Sequence, residues 1–484
     1  MLHPPSKRTI CLLAIYYLYI PFAIFLCSWV KLWIGMPLAL LLGIAPIFLS
    51  KSISGDTVTG SRYQEAVIFL TLLIWVILSG IGGYVWQNRW DHFFRNALFM
   101  DLVNRPWPVH DGVNILTYYL GYWLPPALIA KLTGSAAPGW FASFLFGLIG
   151  ILIAFRLTLQ SIGCVKLRFL LPFILFSGVD IVYYIFFDHT FRHDLHIELW
   201  SDIACWESNT TLLYWVYNQA IPSWVATMLI LNFGRVRGLA PITLSFLLIS
   251  SSFSVIGLFP LALYYLLDDA RHSKSFLQSL KTILNPYNIL AILGAIPIGL
   301  FLLMNRNIGL SFGIGGMPFT VWLSQVVLLF SIEILVFLPF IYRQIKKSPE
   351  FYVLIASNIL LLFVQQESKY GDFNCRVELP LNYFLTVQIA IFLGRWEAMS
   401  RRCRTAFLTI SLFAIVTPAT EIGRILIQTV RKPAAEYRSI LYPTVFELDV
   451  LRNNFVADSV LCPGCRPPGM SLFRYPDSPP SPRD

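Results

Sequence analysis

The chain has 484 residues, of which 56% are hydrophobic and 13% are charged, and its mean hydropathy is +0.66. A soluble globular domain carries about 25% charged residues, so this composition excludes an ordinary soluble protein. The formal net charge of +10 does not indicate nucleic-acid binding, because Lys and Arg are spread over short loops between apolar stretches.

Apolar stretches long enough to cross a hydrocarbon core as helices recur along nearly the whole chain. Backbone polar groups must be hydrogen-bonded internally in lipid, and these stretches do not alternate as barrel strands do. We therefore predict an all-α, polytopic helical membrane protein with about 11–13 transmembrane helices. The predicted spans are 10–30, 33–49, 67–86, 114–131, 139–158, 167–187, 212–233, 239–267, 287–304, 320–342, 351–365, 380–395 and 405–421.

The distribution of Lys and Arg predicts which loops face the cytoplasm. The cytoplasmic loops are predicted to be those near 235–237, 271–281, 343–347 and 401–404. The N-terminus is then cytoplasmic, and the outer loops are 87–113, 188–211 and 366–379. A transmembrane domain covers 1–421, and an outer tail covers 422–484, with its Pro- and Ser-rich part predicted to be disordered from about residue 467. We expect the inner (plasma) membrane of a bacterium.

Two stretches do not fit as single regular spans. Residues 239–267 lie between two basic loops, so they are predicted either to form two short helices that bend near 250–254 or not to cross the membrane. The stretch 114–131 contains Pro125-Pro126, which a regular helix interior does not accommodate, and we predict a half-crossing there.

The first outer loop is predicted to contain an amphipathic helix over 90–102. Trp90, Phe94 and Leu98 recur at helical spacing while the charged residues lie on other faces, a pattern typical of a helix on a membrane surface. Asp91 stands where the third span leaves the membrane. It is either a solvated charge of an interfacial anchor or a base or metal ligand at the bilayer face.

The second outer loop concentrates three of the seven histidines, His189, His193 and His196. Spacings of four and three residues would align their rings on one side of a helix, so a divalent metal is a possible cofactor; a solvated polar loop is the alternative. Upstream, Asp180 lies close to an apolar segment and needs a partner or a water-filled cavity. Glu198, two residues after His196, is a further acidic candidate for the site.

The third outer loop combines Lys369, Tyr370 and Arg376 with several acids. Arginine can bind two phosphate oxygens at once and lysine adds a point charge, so the loop suits a phosphate-bearing lipid. A helix-connecting loop with internal ion pairs is the alternative. Elsewhere, Cys462 and Cys465 have a Cys-x-x-Cys spacing, which alone is a weak indication of zinc or redox chemistry.

Four short motifs follow one another in the first part of the chain: Trp90-Asp91-His92, Trp107-Pro108, Tyr118-Tyr119-Leu120 and Lys131-Leu132-Thr133-Gly134. Their order over residues 65–185, about a quarter of the chain, resembles the N-terminal part of the multi-spanning GT-C type glycosyltransferases. That superfamily includes enzymes that transfer sugars from polyprenyl-phosphate donors at the outer membrane face.

The resemblance implies a lipid-linked-sugar-dependent glycosyltransferase with Asp91 and Asp180 at its acidic catalytic positions. Asp91 would remove the acceptor proton, while cations would hold the leaving phosphate. The substrate-binding residues would be Arg376, Lys369, Tyr370, His92, His196 and Glu198. The expected partners are the bilayer and a polyprenyl-phosphate-linked sugar.

Two other classes remain open. In a transporter or flippase, Glu333 and Asp180 would line a pathway for a lipid-linked or anionic substrate. A structural membrane protein would need neither. An enzyme concentrates polar groups at one membrane face, whereas a transporter needs some at mid-depth. The sequence places most of its polar groups in the loops, which favours the enzyme.

Overall fold

The computed structural model describes residues 6–87, 91–189, 196–305, 309–366, 372–432 and 444–447, and further short segments, 451–452, 455–458, 460, 467 and 469–475. Within these residues the chain forms twenty α-helices and four short β-strands, which confirms the all-α class. The first ten helices are α1 Lys7–Ser28, α2 Leu32–Leu49, α3 Arg62–Leu78, α4 Asp91–Asn104, α5 Leu124–Thr133, α6 Ala136–Ile162, α7 Leu170–Leu175, α8 Ile181–Tyr183, α9 Asn209–Phe233 and α10 Leu239–Leu247.

The second half of the chain is built in the same way. Its helices are α11 Ser252–Arg271, α12 Phe276–Ile283, α13 Pro286–Leu302, α14 Phe319–Phe330, α15 Leu338–Ile345, α16 Pro349–Leu361, α17 Asp372–Val377, α18 Leu379–Gly394, α19 Arg401–Ala414 and α20 Val416–Arg431. The strands are β1 Ile115–Leu116, β2 Leu310–Phe312, β3 Val364–Gln366 and β4 Val456–Ala457. Strand β1 pairs with β4 and β2 pairs with β3, both antiparallel.

The chain is a multi-pass helical membrane protein, but fewer helices have spanning length than the sequence predicted. Among the described residues, four are long and apolar enough to cross a bilayer: α1, Leu32–Ser52, α6 and α11. Three bent pairs raise the number to seven: α12 with α13, the unit from α14 to α15, and α19 with α20. The predicted 11–13 spans are too many by this criterion because breaks divide several apolar stretches into shorter helices.

The two irregular stretches behave differently from each other. The predicted bend in 239–267 is confirmed, since α10 ends at Leu247 and α11 begins at Ser252. The stretch 114–131 is not one helix: it contains β1, a turn and α5. Prolines occupy the first turn of α5, where no amide hydrogen is needed.

Basic side chains of several connections meet at one end of the bundle, which we call the basic face. Arg168 donates two hydrogen bonds to Glu397, at 2.7 and 2.8 Å. The Lys166 ammonium donates to the carbonyl of Gly394, and Arg235 pairs with Asp268 across 2.9 Å. Loops far apart in the sequence therefore end together here.

The C-terminal segment packs at the opposite end, which we call the tail face. Strand β4 pairs there with β1 of the first loop, and the backbone amide of Lys31 donates to Leu472 at 2.8 Å. Met470 and Phe473 are buried. Residues 469–475 are thus ordered against the turn after α1, although the sequence predicted disorder from about residue 467. Two apolar side chains supply the contacts that a Pro- and Ser-rich tail otherwise lacks.

Helix α4 forms where a helix was predicted in the first loop, and the tail covers part of it. Asp101 accepts hydrogen bonds from the Thr444 hydroxyl at 3.0 Å and from the backbone amide of Val445 at 2.8 Å. Arg105 pairs with the other oxygen of the same carboxylate at 2.9 Å. The helix is therefore packed under protein on this side, which its apolar stripe alone did not indicate.

An aromatic core joins α3, α7, α9 and α18. Trp75 stacks on Trp224 with ring centroids 6.1 Å apart, and Trp224 stacks on Tyr383 at 5.6 Å. Helix α7 stops early, but its last carbonyls are satisfied by α9: Asn209 donates to Phe173 at 3.1 Å. The chain after α7 can consequently leave the helical path and enter the site described below.

Candidate functional site: a buried cluster of carboxylates and arginines

Five carboxylates from four separate segments meet in the interior of the protein, and we call them the acidic cluster. One segment follows α7, one precedes α9, one is the π-helical turn Ser331–Leu335 between α14 and α15, and one joins α17 to α18. Each segment interrupts regular α-helix. The members are Asp180, Glu198, Glu207, Glu333 and Glu378, and no more than 7% of the surface of each whole residue is exposed.

Asp180 is held at the centre of the first segment. The Ser177 hydroxyl donates to Asp180 at 3.1 Å and lies 3.4 Å from Glu198. The Trp200 indole donates to the other Asp180 oxygen at 2.9 Å. Asp180 therefore has the partners that its apolar surroundings require.

Glu333 packs directly on the backbone of the same segment. Its carboxyl group is hydrogen-bonded to that of Asp180. A hydrogen bond between two carboxyl groups requires a proton on one of them. A Cβ atom on Gly178 would lie 2.0 Å from a Glu333 oxygen, so this close approach depends on glycine.

Glu198 fixes the start of α9. One of its oxygens accepts from the backbone amide of Ser208 at 2.6 Å, and the Ser208 hydroxyl caps α9 by accepting from Thr211. Burial, and next the charges of Asp180 and Glu207, raise the pKa of Glu198 well above its usual range. The second Glu198 oxygen is buried and has no hydrogen-bond partner within the described part of the chain.

Arg376 supplies the positive charge next to these acids. Its guanidinium pairs with Glu207, and both side chains are 9% exposed. A disulfide between Cys205 and Cys375 joins the same two segments, so each cysteine lies within two residues of the ion pair. The link holds together parts of the chain that are 170 residues apart.

Glu378 stands between Arg376 and α18. Burial and the nearby Glu207 charge raise the pKa of Glu378 well above its usual range, while Arg376 opposes them. Both Glu378 oxygens are buried, and neither has a hydrogen-bond partner among the residues that the structure describes. This carboxyl group is therefore available to a hydroxyl or amine placed beside it.

A second group extends the cluster towards α20. His196 lies 3.5 Å from Glu421, which also pairs with Arg424 at 2.9 Å and accepts from the Trp215 indole at 2.8 Å. Burial, and next the positive charges of Arg424 and Arg376, lower the pKa of His196 to about 3. His196 is consequently neutral at physiological pH and lies within the field of both arginines.

Asp91 and His92 lie on α4, and one turn of α9 separates them from His196 and the acidic cluster. His92 contacts the Tyr214 carbonyl at 3.0 Å, and Asp91 pairs with Arg95 at 3.0 Å. The Asp91 side chain is 30% exposed, in contrast to the buried cluster. The residue after Tyr214 is Trp215, which contacts His196 with ring centroids 3.7 Å apart. One helical turn thus touches both groups.

The structure brings together four of the site residues predicted from sequence: Asp180, His196, Glu198 and Arg376. Asp91 and His92 adjoin them across α9 rather than sharing their contacts. Several predicted residues lie outside the described part of the chain, namely Lys369, Tyr370, His193, Cys462 and Cys465.

The predicted metal site has no counterpart in the described residues. His189 ends the segment after α8 in a left-handed conformation, with φ of 58°. Across the part of the chain that the structure describes, no group of three His, Cys, Asp or Glu side chains is arranged to hold a metal ion.

Sequence reasoning missed five further members: Glu207, Glu378, Glu421, Arg424 and the disulfide. A signal for one of them was present. Cys205 and Cys375 lie in two loops predicted on the same side of the membrane. An acid, Glu207, lies two residues after the first cysteine, and a base, Arg376, directly follows the second. The acids at 378 and 421 gave no signal of that kind, because a charge next to a span ordinarily reaches water.

No known protein-family model matches the chain, and no curated protein or solved structure is significantly similar to it.

Proposed function

We propose that the chain is a membrane glycosyltransferase that uses a polyprenyl-phosphate-linked sugar at the tail face. The observation that carries the proposal is the meeting of four chain segments in one site that holds both carboxylates and arginines. A sugar transfer from a phosphate carrier needs cations for the phosphate and an acid–base group for the acceptor. The resemblance of residues 65–185 to GT-C enzymes supports the same reaction.

In this proposal Arg376 and Arg424 hold the donor phosphate. Each is already oriented by a carboxylate, Glu207 for Arg376 and Glu421 for Arg424. A guanidinium held by a carboxylate keeps a defined orientation, which suits the planar recognition of phosphate oxygens. Neutral His196 lies beside them and can donate to the sugar or the acceptor.

Asp91 is the proposed catalytic base. It is accessible, with 30% side-chain exposure, and Arg95 fixes its direction. Asp180 was the second catalytic candidate, but it is 1% exposed and already bonded to Trp200, Ser177 and Glu333. We therefore assign Asp180 a positioning role: it keeps the segment after α7 in place under the arginines.

The disulfide supports the proposed orientation in the membrane. Disulfides persist in oxidising compartments and are rare in the cytoplasm. Cys205 and Cys375 belong to the loops predicted to be outside. The disulfide therefore favours an external tail face and a cytoplasmic basic face, as expected for an inner-membrane enzyme of a bacterium.

The test is donor consumption by the purified protein in detergent, followed as release of polyprenyl phosphate. Asp91→Asn should lower the rate by about 100-fold or more, because a positioned base contributes at least that much. Arg376→Lys should raise KM for the donor, since lysine cannot bind two oxygens in a plane.

Asp111→Asn is the matched control and should act as wild type. Asp111 is another tail-face aspartate, which accepts from the Asn114 amide at 2.7 Å within its own turn. Equal consumption of every donor by wild type and Asp91→Asn would contradict the assignment of the base.

A proton-coupled transporter is the second candidate, and one observation favours it. Glu333 lies near the middle of the bent unit from α14 to α15 and shares a hydrogen bond with Asp180. Paired carboxyl groups at mid-depth are typical of proton pathways. Uptake of a lipid-linked or anionic substrate into sealed proteoliposomes that is abolished by Glu333→Gln would select this function over the enzyme.

A further inference from the structure

An apolar groove runs inward from the basic face towards the floor of the acidic cluster. It has a volume of about 310 Å³. Its walls come from α7, α18, α19 and the joint between α14 and α15. Leu175, Ile389, Leu408 and Ser411 are among the lining residues, with Arg168 at the outer end and Phe176 at the inner end.

The length of the groove matches one leaflet of a bilayer. Leu408 and Ser411 of α19 line the groove, as does Ile415 directly after this helix, and Arg404 lies one turn outward from Leu408 at the mouth, so the four residues form one stripe with a spacing of three or four residues. At 1.5 Å per residue, this stripe is roughly 16 Å long. Half of a hydrocarbon core is about 15 Å thick. A single hydrocarbon chain that enters at the basic face therefore reaches the inner end.

The mouth of the groove is basic and carries an interfacial aromatic residue. Arg168 and Trp396 line it, and Arg404 lies one turn outward from Leu408 on the same face of α19. Glu397 neutralises Arg168, since the two share a bidentate ion pair. An excess of positive charge remains, contributed by Lys166, Arg395, Arg401, Arg402 and Arg404. A basic rim between transmembrane helices is the arrangement that binds anionic lipid headgroups.

We propose that this groove binds one anionic phospholipid from the leaflet at the basic face. One acyl chain lies in the groove, and the phosphate lies between Trp396 and Arg404. Because lipid tails are as apolar as the groove, the chain contacts give shape selection and the headgroup charge gives preference among lipids. The proposal is independent of the sugar transfer, since none of the residues assigned to that reaction lines the groove.

The inner end gives the site a structural consequence. Phe176 contacts Phe337 with ring centroids 4.9 Å apart, and the next residue, Ser177, hydrogen-bonds the acidic cluster. A chain in the groove therefore supports the apolar floor beneath Asp180. Loss of the lipid should lower the thermal stability of the wild-type protein.

Native mass spectrometry of delipidated full-length protein tests the proposal. The probes are phosphatidylglycerol and phosphatidylcholine with identical acyl chains. Wild type should retain one phosphatidylglycerol about fivefold more strongly than one phosphatidylcholine, the ratio expected for about one cationic contact near a membrane surface. Arg404→Gln should remove that preference and leave phosphatidylcholine binding unchanged.

Ser411→Trp should abolish the bound lipid by filling the groove. Leu412→Trp is the matched control, because the neighbouring Leu412 is 71% exposed and does not line the groove. If Ser411→Trp does not fold, Leu408→Trp replaces it, since Leu408 is 52% exposed and enters the groove from its open side.

Either of two outcomes overturns the proposal. Equal retention of lipid by the groove-filling variant and by Leu412→Trp would mean that the lipid binds elsewhere. Equal affinity of wild type for the two lipids would mean that the basic mouth does not select a headgroup, and that only adventitious annular lipid is bound.

Discussion

Removing the Arg376 guanidinium should destabilise the protein, because it leaves the buried Glu207 carboxylate without its ion-pair partner. In Arg376→Met, the Glu207 carboxylate remains in a site where its side chain is 9% exposed and where Glu198 and Glu378 lie near it. Breaking a buried ion pair on one side costs about 3–5 kcal/mol, because the remaining charge keeps its desolvation penalty. The double variant Arg376→Met with Glu207→Met removes both charges and should fall within about 1 kcal/mol of wild type.

Thermal unfolding in one detergent, followed by tryptophan fluorescence, measures the difference. Domains of 150–250 residues shift by about 2–4 °C per kcal/mol, and this longer chain should lie near the lower limit. The single variant should therefore unfold about 5–10 °C below wild type. The control is Arg235→Met, whose partner Asp268 lies at the exposed basic face. It should cost no more than about 1 kcal/mol.

The pattern across the three variants decides the matter. A double variant as unstable as Arg376→Met would show that the cost comes from lost packing and not from the stranded carboxylate. A single variant no less stable than Arg235→Met would show that Glu207 is solvated, and that the site is open to water.

Three further predictions follow from individual contacts. Gly178→Ala should lower the free energy of unfolding by about 1–3 kcal/mol and displace Glu333. Gly299→Ala should be neutral or slightly stabilising, because a Cβ atom there meets nothing within 4 Å. Thermal unfolding of both variants checks this. Asp101→Ala should raise the rate of tail proteolysis by on the order of tenfold, since its hydrogen bonds hold the tail on α4; a rate equal to wild type would place the tail contacts elsewhere. Burial, and next the charge of Arg95, lower the pKa of His92 to about 3. As the pH falls below about 6.5, His92 therefore takes up a proton only in the unfolded state, and the free energy of unfolding falls by about 1.4 kcal/mol per pH unit. His92→Gln should give a shallower loss of stability between pH 6.5 and 5, and an unchanged slope would contradict the burial of a neutral ring.

The sequence predicted those features that follow from patterns along the chain. Basic loops on both sides of 239–267 required a bend, and the break between α10 and α11 is there. The cost of charge in lipid directed attention to Asp180, Glu198 and Arg376, which do meet. By length and composition, the described residues supply four to seven spans and not the predicted 11–13, because prolines and π-helical turns divide apolar stretches without changing their hydropathy.

The partners within the site could not be predicted in the same way. Whether Arg376 faces water or a buried acid depends on how two loops 170 residues apart are joined. Glu378 lies between α17 and α18, and Glu421 lies in α20 after the bend that follows α19. Which partners these two acids meet depends on tertiary packing, which no local pattern encodes.

Mapping the disulfide by mass spectrometry of unreduced peptides tests most directly whether the loop before α9 and the loop before α18 form one site. We expect one linked peptide pair that joins Cys205 to Cys375 and separates only after reduction, with Cys164 and Cys403 alkylated as free thiols. Free thiols at 205 and 375, or either one linked to a different cysteine, would contradict it.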